Sequence, residues 1–411
     1  MRNTKVIFTV LISFLAHLQF WAQASRAKIE EAPYIHLEHN TLHFPGSKKC
    51  FNHFFEKMKH LAVYGEGQIQ ILHMGGSHIQ ADIYSNRMRN HLSNFLPNLM
   101  SARGLLFPYS TAKTNNPRNY KVSSSGQWSA VRNVDRTLAN PLGLSGISVS
   151  TSDSSAKLNI TFETPRETKH DFIRVKVLHN TDSLSFSIKW LGKDSASITT
   201  ADGFTLIEFE TFQNEISLGF EQTDSLQTRF ELYGVLLESN RPGFIYSSVG
   251  VNGASTWSYL KCELFSKHLS LIPPDLVFFG IGINDAHDPN FSEKNYFANY
   301  EKLMLQMRAV NPEVCFVFIT NNDSYGYNKK LNTNATAVQK VMFDLAKKYD
   351  GAVWDLFSIM GGLKSSTTWR DANLMAKDRI HFSGEGYNLL GDLLYNAFIE
   401  AFEDYLKTQA K

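Results

Sequence analysis

Five short apolar runs, at residues 68–74, 244–251, 276–283, 314–320 and 352–357, constrain this chain more than any other feature. Each is nearly continuous and rich in β-branched or aromatic residues, the pattern of a strand buried on both faces of a parallel sheet. Between the later runs, residues 256–271, 295–310 and 335–349 carry apolar positions at three- and four-residue spacing, so helices are expected there. Residues 83–96 read as the first crossover helix. A last helix begins after Ser383, a plausible N-cap, and its Leu390, Leu394, Ala397 and Phe398 fall on one stripe. Strand and helix in alternation predict an α/β fold, a parallel sheet flanked by helices on both faces.

The region from about 119 to 238 breaks that alternation. Short segments at 157–162, 172–178, 184–190, 205–209, 216–220 and 230–236 are separated by Ser, Thr, Asp, Asn and Gly clusters. Many short strands at roughly even spacing predict an antiparallel β-sandwich or jelly roll. The expected organisation is therefore a leader at 1–24, an α/β domain in two parts (25–118 and 239–411), and a β domain (119–238) inserted between its first two strands. Trp128 and Trp190 of the insert are expected in its core.

The leader has a basic start, Arg2 and Lys5, then a mostly apolar stretch from Val6 to Trp21, then the small-x-small sequence Ala22-Gln23-Ala24. That is the form of a cleaved export signal. The apolar stretch is interrupted by Ser13, His17 and Gln19, too short and too polar for a retained anchor. No cysteine follows the cut, so neither a lipid anchor nor a lasting membrane attachment is expected, and the protein is expected in the periplasm or outside the cell. Removing residues 1–24 leaves 39 basic and 39 acidic residues, which argues against a nucleic-acid partner. Export permits disulfides, but Cys50, Cys262 and Cys315 allow one bridge at most. Sequence does not choose the pair, and buried thiols are the expectation. No CxxC or HExxH occurs, and the cluster Asp285, His287, Asp288 has no second histidine group to complete a metal site. No cofactor or metal is expected.

Polar residues collect where the strands end, as they do in open α/β sheets. The first run ends in Gly75-Gly76-Ser77-His78, the second in Gly250-Val251-Asn252-Gly253, the third in Gly282-Ile283-Asn284-Asp285. Asp378-Arg379-Ile380-His381 precedes the last helix. Ser77 is a candidate nucleophile, His381 its base, and Asp378 the group that orients the base. The Gly253 and Ser77 N–H groups and the Asn284 amide are candidate donors to an oxyanion. His78, Asn252, Asp285, Asn322 and Asp323 are candidates to line the same site. Taken singly, each motif is more often a turn or a polar loop. Their order, each at the end of a strand, is what the plainer readings leave unexplained.

These residues resemble the SGNH, or GDSL-type, serine hydrolase superfamily: a GDS serine after strand one, a glycine after strand two, a GxND asparagine after strand three and a late DxxH. The blocks span residues 71–387. The stretches G-S-H-I-Q-A, F-P-Y…A-K-T-N-N-P and V-G-V-N-G-A further resemble bacterial extracytoplasmic members with a β-rich insert, some of which remove O-acetyl groups from peptidoglycan or other polysaccharides. The resemblance implies a three-layer, flavodoxin-like sheet and a cofactor-free esterase acting on an acylated polysaccharide or peptidoglycan. One position departs from it. Gly76 stands where the family has aspartate, which implies a less firmly held nucleophile loop and reduced activity. The alternative that follows is a secreted glycan-binding protein with a weakened or inactive triad.

Overall fold

The computed structural model describes residues 26–96, 99–162, 172–326 and 329–409; the leader expected at 1–24 lies outside them. Seven strands form the main sheet: β1 (Leu42–His43), β2 (Gln68–Gly75), β3 (Met100–Ala102), β4 (Gly243–Gly250), β5 (Leu276–Gly280), β6 (Cys315–Ile319) and β7 (Ala352–Trp354), in the order β1-β7-β6-β5-β2-β4-β3. All neighbours pair parallel except β1 with β7. The near-continuous apolar runs are explained by this geometry, because both faces of each central strand are covered. Ile69 and Ile71 of β2 face one core, shared with Phe278 and Trp354; Leu72 and Met74 face the other, shared with Phe279 and Phe318.

The first face is covered by α1 (Lys49–Tyr64), α3 (Tyr84–Ser93) and the terminal α11 (Gly384–Gln409). The second carries α7 (Glu293–Val310) and α8 (Asn334–Tyr349). Shorter helices start at the strand ends: α2 (Ser77–Gln80), α4 (Thr256–Leu260), α5 (Phe265–Leu269), α6 (Ile283–Ala286), α9 (Leu356–Met360) and α10 (Ser365–Asp371). Ser383 caps α11, its Oγ accepting from Gly386 N at 3.0 Å.

Several elements differ from expectation for local reasons. The single helix expected at 256–271 is broken into α4 and α5, because Leu264 N donates to Leu142 O outside the helix. The run at 352–357 stops at Trp354; Asp355 turns the chain into α9 by accepting from Ser358 Oγ at 2.6 Å and Ser358 N at 3.4 Å. The third run stops at Gly280, and Gly282, at φ +154, admits the turn into α6. β1, α1 and β3 were not anticipated: β1 and β3 are two and three residues long, too short for a periodic signal.

The chain between β3 and β4 forms two antiparallel sheets. One has the order Ser187–Trp190, Glu215–Glu221, Lys157–Phe162, Tyr120–Ser125. The other runs Ala196–Ala201, Phe204–Gln213, Phe172–His179, Phe230–Glu238, Ile147–Thr151, Ser129–Arg132, with Leu105–Leu106 also paired to Phe230–Glu238. Aromatic contacts join the two, Phe220 to Phe230 at 4.2 Å and Trp190 to Phe209 at 4.8 Å between ring centres. Trp128 packs edge-on against Phe220 and donates its indole N–H to Ser125 O. Leu158, Val177 and Leu232 of these sheets belong to the same apolar cluster as Met74 and Phe279 of the main sheet. The two regions thus share one continuous core.

Cys50 of α1 and Cys315 of β6 form a disulfide across 265 residues, and Cys262 alone is a free buried thiol, pushed up to about 12 by burial. The expectation of buried thiols is corrected for the other two. A cross-link closing so long a loop restricts the unfolded chain strongly. Reduction, or Cys50→Ala, should lower unfolding stability by about 3–5 kcal/mol, read as a drop in the urea midpoint. Cys262→Ala should leave the response to dithiothreitol unchanged.

Candidate active site

The ends of three strands are level. Gly75 of β2 lies in register with Gly250 of β4 on one side and with Gly280 of β5 on the other. Two of these glycines are required by a close approach. A Cβ on Gly75 would stand 2.1 Å from Ile79 Cγ1, and one on Gly250 would stand 2.2 Å from Gln80 N. Their absence lets α2 press onto the strand ends, and Ser77 opens that helix.

Ser77 Oγ lies 2.8 Å from His381 Nε2, and His381 Nδ1 lies 2.8 Å from Asp378 Oδ2. The carboxylate can only accept, so the imidazole proton is assigned to Nδ1, which leaves Nε2 to accept from the serine hydroxyl. Asp378 is fixed in turn by its own loop, Oδ1 accepting from Ile380 N at 2.9 Å and His381 N at 3.0 Å. Burial raises its pKa, but the hydrogen bonds from the His381 ring and from these two amides outweigh that and hold the carboxyl below its usual value. Between the two residues Arg379 adopts φ +55, and its guanidinium sits 3.5 Å from the Tyr325 ring centre.

Gly253 has φ +82, a left-handed conformation that a side chain would strain. Asn284, on the first turn of α6, donates one amide hydrogen to Ala254 O at 2.9 Å. Its second amide hydrogen meets no acceptor among the described residues. A cleft of about 520 Å³ opens here, walled by Ser77, Asn252, Gly253, Asn284, His287 and His381 among others. Gly76 lies behind Asn284, where a Cβ would come within 3.2 Å of the amide nitrogen.

The other sequence candidates are placed differently. Asn252 is in the cleft wall, its N–H donating to Gln80 Oε1 at 2.7 Å. Asp285 turns away and accepts from Thr256 N and, at 2.6 Å, from Thr256 Oγ1 at the start of α4. Asn322 is buried beneath the Asp378 loop and donates to Ile380 O at 3.1 Å. Asp323 is buried and receives Ser366 Oγ and N, which ties it to α10. His78 packs beside His381, the ring centres 5.4 Å apart, with its Nδ1 2.8 Å from Tyr387 Oη. Burial pushes its pKa down to about 3, so it stays neutral beside the His381 ring. Asp285, Asn322, Asp323 and His78 thus stand behind or beside the cleft rather than in its wall.

Gln80 is better connected than sequence reasoning indicated. Besides accepting from Asn252 N, it donates to Thr114 Oγ1 and Asn115 O, joining α2, the Gly253 loop and the A-K-T-N-N-P stretch. Asp82, two residues on, anchors the far end of α2. Burial would raise its pKa, but the Arg89 and Arg103 guanidinium groups beside it hold it far below the usual carboxylate range. Among the described residues, no three His, Cys, Asp or Glu side chains are grouped to hold a metal ion.

Residues 218–389 match the family described as GDSL-like Lipase/Acylhydrolase. A solved structure of a peptidoglycan O-acetylesterase aligns over 88% of this chain and 99% of that one, at 20% identity and a TM-score of 0.72. An acetyl xylan esterase (15% identity, 38% of this chain, 80% of that one, TM-score 0.30) superposes far more loosely. So does a GDSL-like lipase from Bacteroides thetaiotaomicron (17% identity, 38% of this chain, 76% of that one, TM-score 0.31). Neither of these two bears on the fold. No curated protein matches the sequence.

Asp285 supplies a pH signature of this geometry. Burial pushes its carboxyl up to about 6, although the Thr256 hydroxyl and amide pull it down. The folded chain therefore holds this proton more tightly than the unfolded chain does. The associated stability is present below about pH 4 and is lost as pH rises through about 6. Relative to Asp285→Asn, the wild type should lose on the order of 1–3 kcal/mol between pH 4 and 7, measured by urea unfolding at each pH.

Proposed function

We propose that this chain is an exported serine esterase of the SGNH type, a reading supported by the GDSL-like acylhydrolase match over residues 218–389 and by the fold shared with a solved O-acetylesterase. Its substrates are O-acyl, chiefly O-acetyl, esters on a polysaccharide or peptidoglycan. The observation that carries the reading is the hydrogen-bonded series Ser77–His381–Asp378, formed at 2.8 Å and 2.8 Å, with Ser77 and His381 in the wall of an open cleft. Support for the substrate class comes from the export signal and from the acetylated polymer named for the solved structure of similar fold.

In this mechanism Ser77 Oγ bonds to the ester carbonyl carbon while its proton passes to His381 Nε2. Asp378 stabilises the imidazolium that results. Negative charge develops on the former carbonyl oxygen, within reach of the Ser77 and Gly253 N–H groups and the second Asn284 amide hydrogen. The tetrahedral intermediate collapses, the C–O bond to the sugar breaks, and His381 returns the proton to the departing sugar oxygen. Water then attacks the acyl-serine, losing one proton to His381, which returns it to Ser77 Oγ as the acyl–oxygen bond breaks; the carboxylic acid leaves and ionises in water. No cofactor enters any step.

Gly76 motivates a second reading, an inactive glycan-binding relative, because the family's acid would sit against Asn284. The anchor Ala254 O provides for Asn284 weighs against it.

The mature protein should hydrolyse p-nitrophenyl acetate, release acetate from O-acetylated peptidoglycan or xylan, and react with a fluorophosphonate probe. Ser77→Ala should abolish all three. Asn284→Ala should lower kcat on the order of 10²-fold with little change in KM. Absence of probe labelling in the folded protein, together with retained glycan binding, would establish the second reading instead.

A further inference from the structure

A groove of about 580 Å³ adjoins the cleft, sharing Gly253 and Asn284 with it but reaching neither Ser77 nor His381. Its floor and rim come from α4, the loop after α6 and the start of α7. Trp257 of α4 stands in it with 58% of its surface exposed, and among the described residues its ring packs against no other aromatic ring. In this it differs from Trp128 and Trp190, which are half-buried, with rings packed edge-to-face against Phe220 and Phe209 and indole N–H groups donated to Ser125 O and Asp194 O. Exposure alone is ordinary for a single surface side chain; what distinguishes Trp257 is that its indole, an apolar face with a polar edge, lines a groove that shares Gly253 and Asn284 with the cleft. Around it the groove is polar, with the exposed Asn295 and, of opposite sign, Asp288 and Lys302. With Asp285 also in the lining, two carboxylates face one ammonium, so no excess of positive charge is present to hold a polyanion and a neutral ligand suits the groove better.

A pyranose ring fits that description. It has an apolar C–H face for an indole and a rim of hydroxyls for amide and charged side chains. Because Gly253 and Asn284 belong to both spaces, a sugar in the groove would be joined to one whose ester faces Ser77. We propose that the groove is a subsite for the pyranose units next to the acylated sugar, with Trp257 as stacking platform and Asn295 among its polar contacts. The proposal rests on the esterase reading above and deepens it: the substrate is a chain of sugars, held on the side of the oxyanion donors.

The test pairs hydrolysis with binding. Trp257→Ala should raise KM for acetate release from an O-acetylated polymer about tenfold, the size of an aromatic stacking contact, and leave kcat/KM on p-nitrophenyl acetate unchanged. Trp257→Phe should retain most of the polymer activity. Equal loss on both substrates, or no loss on the polymer, would overturn the proposal. In a Ser77→Ala background, calorimetric titration with β-1,4-linked N-acetylglucosamine tetramer and with xylotetraose reads binding without turnover and shows which sugar chain is preferred. Binding of either that weakens about tenfold in Trp257→Ala supports the subsite; binding of neither overturns it. The two readings fail separately. A protein that hydrolyses no ester but loses glycan binding with Trp257 refutes the esterase and keeps the groove. One that hydrolyses polymer equally well without Trp257 keeps the esterase and refutes the groove.

Discussion

The pairing of β2 between β4 and β5 is the constraint on which everything at the site depends. Parallel strands in register end at one level, so Gly75, Gly250 and Gly280 lie abreast and the chain turns out of the sheet three times in the same place. Each turn supplies one kind of group: a hydroxyl at Ser77, a backbone N–H at Gly253, an amide at Asn284. None of the three needs a long side chain, because the sheet has already brought the backbones together. Glycine at Gly75 and Gly250 then allows α2 to pack within van der Waals distance of the strand ends. His381 arrives from elsewhere, on the loop before α11, and that helix is held by the opposite core, with Leu390, Leu394 and Phe398 buried against α1 and α3.

Polar groups next to the cleft are mostly spent on holding the loops. Gln80 spans three segments, Asn322 holds the Ile380 carbonyl, and Asp285 and Asp323 receive the starts of α4 and α10. This division has an electrostatic reason. A carboxylate aimed into the cleft would oppose the charge proposed to develop on an ester oxygen, whereas Asp285 and Asp323 accept from backbone N–H groups that open α4 and α10. Asp82 extends the principle inward: it is fully enclosed, and its charge is met by Arg89 and Arg103 and by the Ser85 hydroxyl. The antiparallel sheets are equally integral. They contribute to one core with β2 and β5, so cutting out residues 119–238 would expose Leu72 and Met74 as well as removing a surface.

Much of this was legible in the order of residues. Strands buried on both faces must be apolar along their whole length, so the five central strands stood out, and α7 and α8 carried enough turns to show their period, whereas α1, as long as α8, was not picked out. Glycine, serine and asparagine at strand ends are informative because their conformational and chemical roles are local. Ser77, Gly253, Asn284, Asp378 and His381 could be named for that reason. The direction in which a loop side chain points is not local. Asp285 and Asn284 are adjacent, yet one faces the cleft and the other faces Thr256, a choice made by where α4 lies. Pairings over long separations are equally silent: nothing near Cys50 indicates that Cys315, rather than Cys262, would be its partner.

The sequence by itself determined the alternating α/β framework, the antiparallel region within it, and the identity of the groups at the strand ends, since these follow from periodicity, turn chemistry and composition. Only the tertiary structure decided that Ser77 and His381, 304 residues apart, meet at 2.8 Å. It also decided that the two sheet systems share a core, and that Trp257 stands open beside Gly253 and Asn284. Those outcomes depend on register, on the close approach permitted by a missing Cβ, and on which helix covers which face. They are properties of surfaces brought together, and no single segment of the chain carries them.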